Sequence, residues 1–210
     1  MDGLQANNIS TLFHAIAYEN DERAFEKLFY LYYARLVRFC VEYAKSQETA
    51  EDIVADLFAR LWVKRHSLKE IRCPESYLFK AAKNGALNNL RRLSQVGANL
   101  IDEAELHKGH LNFINSPQSL LESKELVQLL TNAIESLPSQ SRLILRLVKE
   151  EGFKAREVAE ILQVSVRTVE NQLYRALCRL EKVLALHPKK RSRSMLPVNK
   201  LASAFFCLLP

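Results

Sequence analysis

Three sets of polar side chains in this chain stand at helical spacing and so can act together. Arg167, Thr168, Glu170, Asn171, Tyr174 and Arg175 follow closely on Ser165, and guanidinium forks, amides and hydroxyls are the groups that pair phosphate oxygens and base edges. Lys80, Asn84, Asn88 and Arg91 recur at i, i+4, i+8 and i+11, with Tyr77 just ahead of them. That stripe carries cations for phosphates, amides for base edges and a ring for stacking, the ingredients of single-strand recognition. A solvated polar face has the same composition. Asp52 and Asp56 stand four apart, like charges that repel mildly on one helix face and gain nothing from each other. With no histidine or nucleophile spaced to work with them, they suit solvated surface or the docking of basic residues from another protein, not catalysis.

The first set is positioned by Lys154 to Leu184. Val158, Ala159, Ile161 and Leu162 make the apolar side of a short helix, and Ser165 can cap a second one. In that second helix Val166, Val169, Leu173, Leu177 and Leu180 recur as the buried face, opposite the polar set. The turn between them has Gln163 where a glycine would take positive φ without penalty. This is a helix-turn-helix pattern, and the early turns of its second helix are those that enter a major groove. An ordinary helical hairpin with a wet polar face is the alternative.

The rest of the chain is predicted to be all-helical. Its 210 residues hold only five glycines and six prolines, and no stretch shows sustained alternation. Two small helical domains joined by a flexible linker fit the pattern better than one core. Ile9, Leu12, Phe13 and Ile16 predict a short helix ending near Glu19, with Asn20 or Asp21 capping the next. Phe25, Leu28, Phe29, Tyr32, Leu36, Phe39, Cys40 and Tyr43 then mark a long amphipathic helix whose aromatics read as packing, not as a cofactor box. Ile53, Val54, Leu57, Phe58, Leu61 and Trp62 form a stripe wide enough for a central helix. His66 to Pro74 reads as a loop, and Pro74 opens a helix in which Phe79, Ala82, Ala86 and Leu90 face inward. Periodicity fails over residues 94–116, the predicted linker, and Ser116-Pro117 restarts a helix. Leu121, Leu126, Leu129, Leu130, Ala133, Ile134 and Leu137 form its apolar side, Arg142 to Glu150 makes another helix, and Gly152 can end that one in a left-handed cap.

The net charge of +6 is concentrated at one end. Lys189, Lys190, Arg191, Arg193 and Lys200 account for five of it, leaving +1 for residues 1–186. Binding to a polyanion must therefore come from local basic faces, not from a global field. Cys40, Cys73, Cys178 and Cys207 show no CxxC and no histidines at ligand spacing, so neither metal nor cofactor is expected. MDGLQANNIS has no basic region followed by an apolar core, which predicts a cytoplasmic chain with reduced thiols. The tail over residues 187–210, basic then apolar, is interrupted by Pro197, Asn199 and Lys200 and is predicted to be disordered, with no membrane insertion; a docking peptide is the alternative.

Taken in order, AEDIVADLFARLW, SYLFKAAKNGALNNLRR, AIESLPSQSRLIL and EEGFKAREVAEILQVSVRTVENQLYRAL closely resemble a bacterial RNA polymerase sigma factor of the extracytoplasmic-function group. The resemblance covers about residues 10–186 and implies a sigma region 2 domain at 8–93 and a region 4 domain at 117–186. It implies that Asp52 and Asp56 dock on the clamp helices of core RNA polymerase. It also implies that the His66 to Ser76 segment with Tyr77, Lys80, Asn84, Asn88 and Arg91 takes the opened −10 strand. Asn88 stands where many members have aspartate. Arg167, Thr168, Glu170, Asn171, Tyr174 and Arg175 match the helix that reads the −35 groove of promoter DNA. An anti-sigma factor is the implied restraining partner, and the chain itself is implied to be no enzyme. A stand-alone helix-turn-helix repressor or activator is the competing reading, and it needs a dimer interface.

Overall fold

A computed structural model describes residues 9–96 and 121–185, and among these no strand occurs. They fall into two compact units, one within residues 1–108 and one within residues 109–210. The linker and tail expectations, and the Ser116-Pro117 cap, lie outside the described residues.

In the first unit, α1 (residues 9–14) runs on into a π-helical turn, Ala15–Glu19. Ile9, Leu12, Phe13 and Ile16 are all buried, as their spacing predicts. The sequence leaves the cap of the next helix open between Asn20 and Asp21, and Asp21 takes it. Asn20 ends the turn at φ 55°, and the Asp21 carboxylate accepts the Arg23 and Ala24 N–H groups at 2.8 and 3.1 Å to start α2 (Glu22–Ala44). Ser46 caps α3 (Gln47–Val63) by accepting the Thr49 N–H at 3.3 Å. A 3-10 turn (Arg65–Glu70) and then α4 (Pro74–Val96) complete the unit. The expected loop from His66 to Pro74 is thus partly helical. Buried Leu68 pins the turn to the core, and one apolar residue among polar ones carries no periodicity to reveal it.

Ring contacts set the helix directions. Phe25 meets Trp62 at 4.9 Å and Phe29 meets Phe58 at 4.9 Å, so α2 and α3 run antiparallel. Arg35 to Glu75 at 2.8 Å, Phe39 to Phe79 at 5.2 Å and Cys40 to the Ala82 carbonyl at 3.8 Å climb in step, so α2 and α4 run parallel. Helices α3 and α4 must then be antiparallel to each other. Ile53, Val54, Leu57, Phe58 and Leu61 are buried, making α3 the central helix its wide stripe predicts. Gly85 lets α4 approach it closely, because a Cβ there would sit 3.1 Å from Ile53 Cγ2.

Leu90 corrects an expectation, being 39% exposed where an inward face is predicted. With Cys40 level with Ala82, α2 ends opposite about Ala86, so Leu90 and Leu93 project beyond it. Near the other end of α4, Glu75 accepts hydrogen bonds from Tyr32 Oη at 3.0 Å and Arg35 at 2.8 Å, and the guanidinium lies over the Tyr32 ring. Burial pushes the Cys40 thiol up to about 12, which makes it an inert core group.

The second unit comprises α5 (Leu121–Glu135), α6 (Ser139–Lys149), α7 (Ala155–Leu162) and α8 (Val166–Ala185). Ala133, Ile134, Leu137 and Leu145 pack against Ala176 and Leu180. Buried Ser141 donates to the Gln172 side-chain carbonyl and ties α6 to α8. Gly152 is left-handed at φ 76°, and the turn it makes lets the Phe153 N–H donate back to the Leu147 carbonyl at 3.0 Å, closing the end of α6 as the sequence predicts. The Glu157 carboxylate accepts the Lys154 N–H at 2.7 Å and starts α7. Val158, Ala159, Ile161 and Leu162 are buried as predicted. In α8 the predicted stripe needs one exchange: Val166, at the first turn, is 36% exposed, whereas Ala176 is fully buried. The small Ala176 side chain brings α8 close to its supporting helices.

Gln163 ends α7 at φ 56°, the strained left-handed position expected from the sequence. Gln163→Gly is expected to stabilise the fold by about 1 kcal/mol, since a Cβ in this conformation costs about that much. Urea denaturation checks it, and an unchanged or lower midpoint refutes it.

Candidate nucleic-acid interface

Helices α3 and α4 form the walls of an open groove of about 990 Å³. Asp52, Asp56 and Arg60 line it from α3, Lys64 from the cap that follows it, and Tyr77, Lys80, Asn84, Asn88 and Arg92 from α4. Because the walls are antiparallel, Asp52 lies toward the Arg92 end and Lys64 toward the Tyr77 end. Two groups that the sequence places on separate helices thus share one site. Asn84 and Asn88 are exposed, and Lys80 is half-buried beside them.

Three of these positions differ from expectation. Asp56 has a partner within its own helix, Arg60 at 3.7 Å, but at 77% and 57% exposure the pair is weak and still open to competitors. Tyr77 is half-buried, its ring edge-on to Phe13 at 6.4 Å, so only part of it faces the groove. Arg91 is exposed but outside the lining, and Arg92 lines the groove in its place. Each i+4 step turns about 40° past a full revolution, so a stripe through Lys80, Asn84 and Asn88 winds on to Arg92.

In the second unit Arg167, Glu170, Asn171, Tyr174 and Arg175 stand exposed on α8, whose opposite face is buried. Thr168 is partly committed to the cap: its N–H donates to Ser165 Oγ at 3.0 Å and its hydroxyl lies 2.8 Å from the same oxygen. Tyr174 is 69% exposed, and a hydrogen bond with Cys178 raises its phenol pKa. Cations, an amide and a phenol on the outer face of a helix-turn-helix can reach phosphates and base edges together.

The family model for sigma-70 region 2 matches residues 28–96, and that for sigma-70 region 4 matches residues 128–180. The ECF RNA polymerase sigma-E factor of Escherichia coli (strain K12) is 28% identical over 163 residues, spanning 75% of this chain and 85% of the relative. The chain belongs to the extracytoplasmic-function group of the sigma-70 family. This sigma factor is also similar to the RNA polymerase sigma-H factor of Pseudomonas aeruginosa, 27% identical over 78% of this chain and 88% of that one. Its fold matches the sigma factor RpoE solved with the anti-sigma factor NepR from Bartonella quintana, with a TM-score of 0.54, 21% identity and coverage of 78% and 98% of the two chains. It also matches CnrH solved with the cytosolic domain of CnrY, with a TM-score of 0.52, 20% identity and coverage of 85% and 97%. The sigma factor recognises promoters on behalf of RNA polymerase, and members of its family are transcription-initiation factors, not catalysts. No described helix is long and apolar enough to cross a membrane.

Sequence reasoning misses Arg60, Lys64, Asn89 and Arg92 as groove residues. For two of them a signal exists: Arg60 is four residues beyond Asp56, and Arg92 four beyond Asn88. For Lys64 and Asn89 only the assembled helix pair shows the placement.

Proposed function

We propose that the α3–α4 groove is where this sigma factor both engages core RNA polymerase and takes the opened −10 strand. The shared lining by Asp52, Asp56, Lys80, Asn84 and Asn88 carries this reading. Asp52 and Asp56 receive basic side chains of the polymerase clamp. On the facing wall, Lys80 and Arg92 receive phosphates, and the Asn84 and Asn88 amides meet the edges of bases unstacked from the duplex. Trapping an extruded base offsets the few kcal/mol that opening it costs. The site assigns no step of bond making to the sigma factor; nucleotide joining belongs to the polymerase. Residues 8–93 and 117–186 are the two working domains, residues 94–116 connect them, and the chain works in the cytoplasm. An anti-sigma factor is the partner that restrains it, as the similar folds solved with NepR and with CnrY suggest by analogy.

Helix α8 reads the −35 element, with Arg167, Asn171 and Arg175 at i, i+4 and i+8 spanning a few base pairs. Thr168, Glu170 and Tyr174 flank them. With a promoter selected from a random library by the wild-type holoenzyme, Arg175→Ala is expected to lower discrimination at one −35 base by about tenfold, within the ~1–3 kcal/mol of a bidentate arginine contact. Competition binding against single-base variants measures it. Uniform weakening across all variants would make Arg175 a phosphate contact instead.

A further inference from the structure

Residues 9–20 precede the part of the chain that the region 2 family model matches, which begins at residue 28. They nevertheless pack along the segment that closes the Tyr77 end of the groove. Arg65 Nε donates to Asn20 Oδ1 at 2.6 Å, and His66 Nδ1 stands 3.4 Å from the Ala17 carbonyl. The Lys69 ammonium lies 4.5 Å from the Tyr18 ring centroid, and Phe13 meets Tyr77 edge-on at 6.4 Å. These four contacts come from successive turns of α1 and its π turn, and they hold the 3-10 segment at three positions and α4 at one. Lys64 and Leu68, immediately around Arg65 and His66, line the groove itself.

Arg65 is the joint. Its Nη1 donates to the Trp62 carbonyl at 3.0 Å and its guanidinium lies 4.7 Å from the Trp62 ring centroid, so it grips the end of α3 while Nε reaches Asn20. Asn20 can receive it because its backbone is left-handed, at φ 55°, which ends the π turn with the amide aimed back at the 3-10 segment. Asparagine, aspartate and glycine are the residues that tolerate this conformation.

We propose that the N-terminal helix and its π turn are a positioning element for strand capture, with Asn20 acting through Arg65 to fix the 3-10 segment at the end of the α3–α4 groove. This rests on the reading that the groove takes the opened strand.

The left-handed backbone supplies clean variants. Asn20→Gly keeps the conformation and removes the acceptor; Asn20→Asp keeps both. Full-length variants are assembled with core RNA polymerase, and binding is measured to a fluorescent single strand carrying the −10 sequence of the library-selected promoter. Melting temperature, core affinity and −35 duplex binding are measured beside it. Asn20→Gly is expected to weaken strand binding about fivefold and Asn20→Asp to stay within about twofold of wild type, the effect of one charge-assisted hydrogen bond at an exposed site. Core affinity and −35 duplex binding should not move, and the melting temperature should fall by no more than one lost hydrogen bond accounts for. An Asn84→Ala, Asn88→Ala double variant is the reference arm. If it loses strand binding and Asn20→Gly does not, the positioning role is wrong and the groove reading stands. If the reference arm loses nothing, the groove reading falls and takes the inference with it. Equal losses by the Gly and Asp variants, or a fall in the melting temperature of Asn20→Gly larger than one lost hydrogen bond accounts for, also overturn the inference, since neither follows from loss of one acceptor.

Discussion

Asp52→Lys combined with Asp56→Lys is expected to weaken binding of the full chain to core RNA polymerase by about 100-fold, or roughly 3 kcal/mol, while the fold persists. Close charge pairs across interfaces couple by about 1.5–7 kcal/mol each, and solvent exposure on the groove wall places these near the lower end. Reversing both turns two attractions into two repulsions. The internal cost is small: the 3.7 Å Asp56–Arg60 pair is highly exposed, and such i,i+4 pairs contribute about 0.3–0.5 kcal/mol. Helical circular dichroism should therefore be unchanged. Competition for core enzyme against labelled wild-type protein measures the effect, and equal competition by the doubly reversed chain removes the docking role. Raised salt should narrow the difference between the two proteins, because exposed charges are screened.

The second large effect concerns opened DNA. Replacing Asn84 and Asn88 with alanine is expected to lower initiation from a closed duplex promoter by about 50-fold, the loss of two hydrogen-bonding amides at about 1–1.5 kcal/mol each. Both side chains are exposed, so truncation leaves no cavity and no buried orphan group in the protein. Binding of the −35 duplex and of core enzyme should be unaffected. A premelted template separates two roles within the site. A much smaller loss there assigns the amides to melting, whereas equal losses assign them to strand capture alone. Full activity on both templates would contradict the site.

The sequence exposes helices well because burial stamps a period on apolar residues. All four predicted α7 residues are buried, and the caps at Ser165 and Asp21 and the strained Gln163 stand where local chemistry puts them. Errors gather where a helix outruns its partner or begins. Leu90 keeps the inward spacing but lies past the end of α2, and Val166 keeps it at the first turn of α8. No local rule contains the length of a neighbouring helix. The candidate site divides the same way. Which side chains are exposed on α8 follows from one helix, but the meeting of Asp52 and Asp56 with Asn84 and Asn88 depends on α3 and α4 running antiparallel. That direction is set by Phe25, Phe29, Phe39 and their distant ring partners. The brace from Asn20 to Arg65 spans 45 positions of sequence and leaves no periodic trace.

The central claim is that promoter choice belongs to the complex with polymerase and not to the free chain. Residues 1–186 carry a net charge of only +1, and α8 offers one short reading surface. Binding of the library-selected promoter is therefore to be measured with the chain alone and with core RNA polymerase, against a scrambled duplex of equal length, across a salt series. Weak, unselective, salt-sensitive binding by the free chain and tight, selective binding only with core enzyme is the predicted result. Tight, selective binding of a palindromic duplex by the free protein as a dimer would contradict it and support a stand-alone repressor.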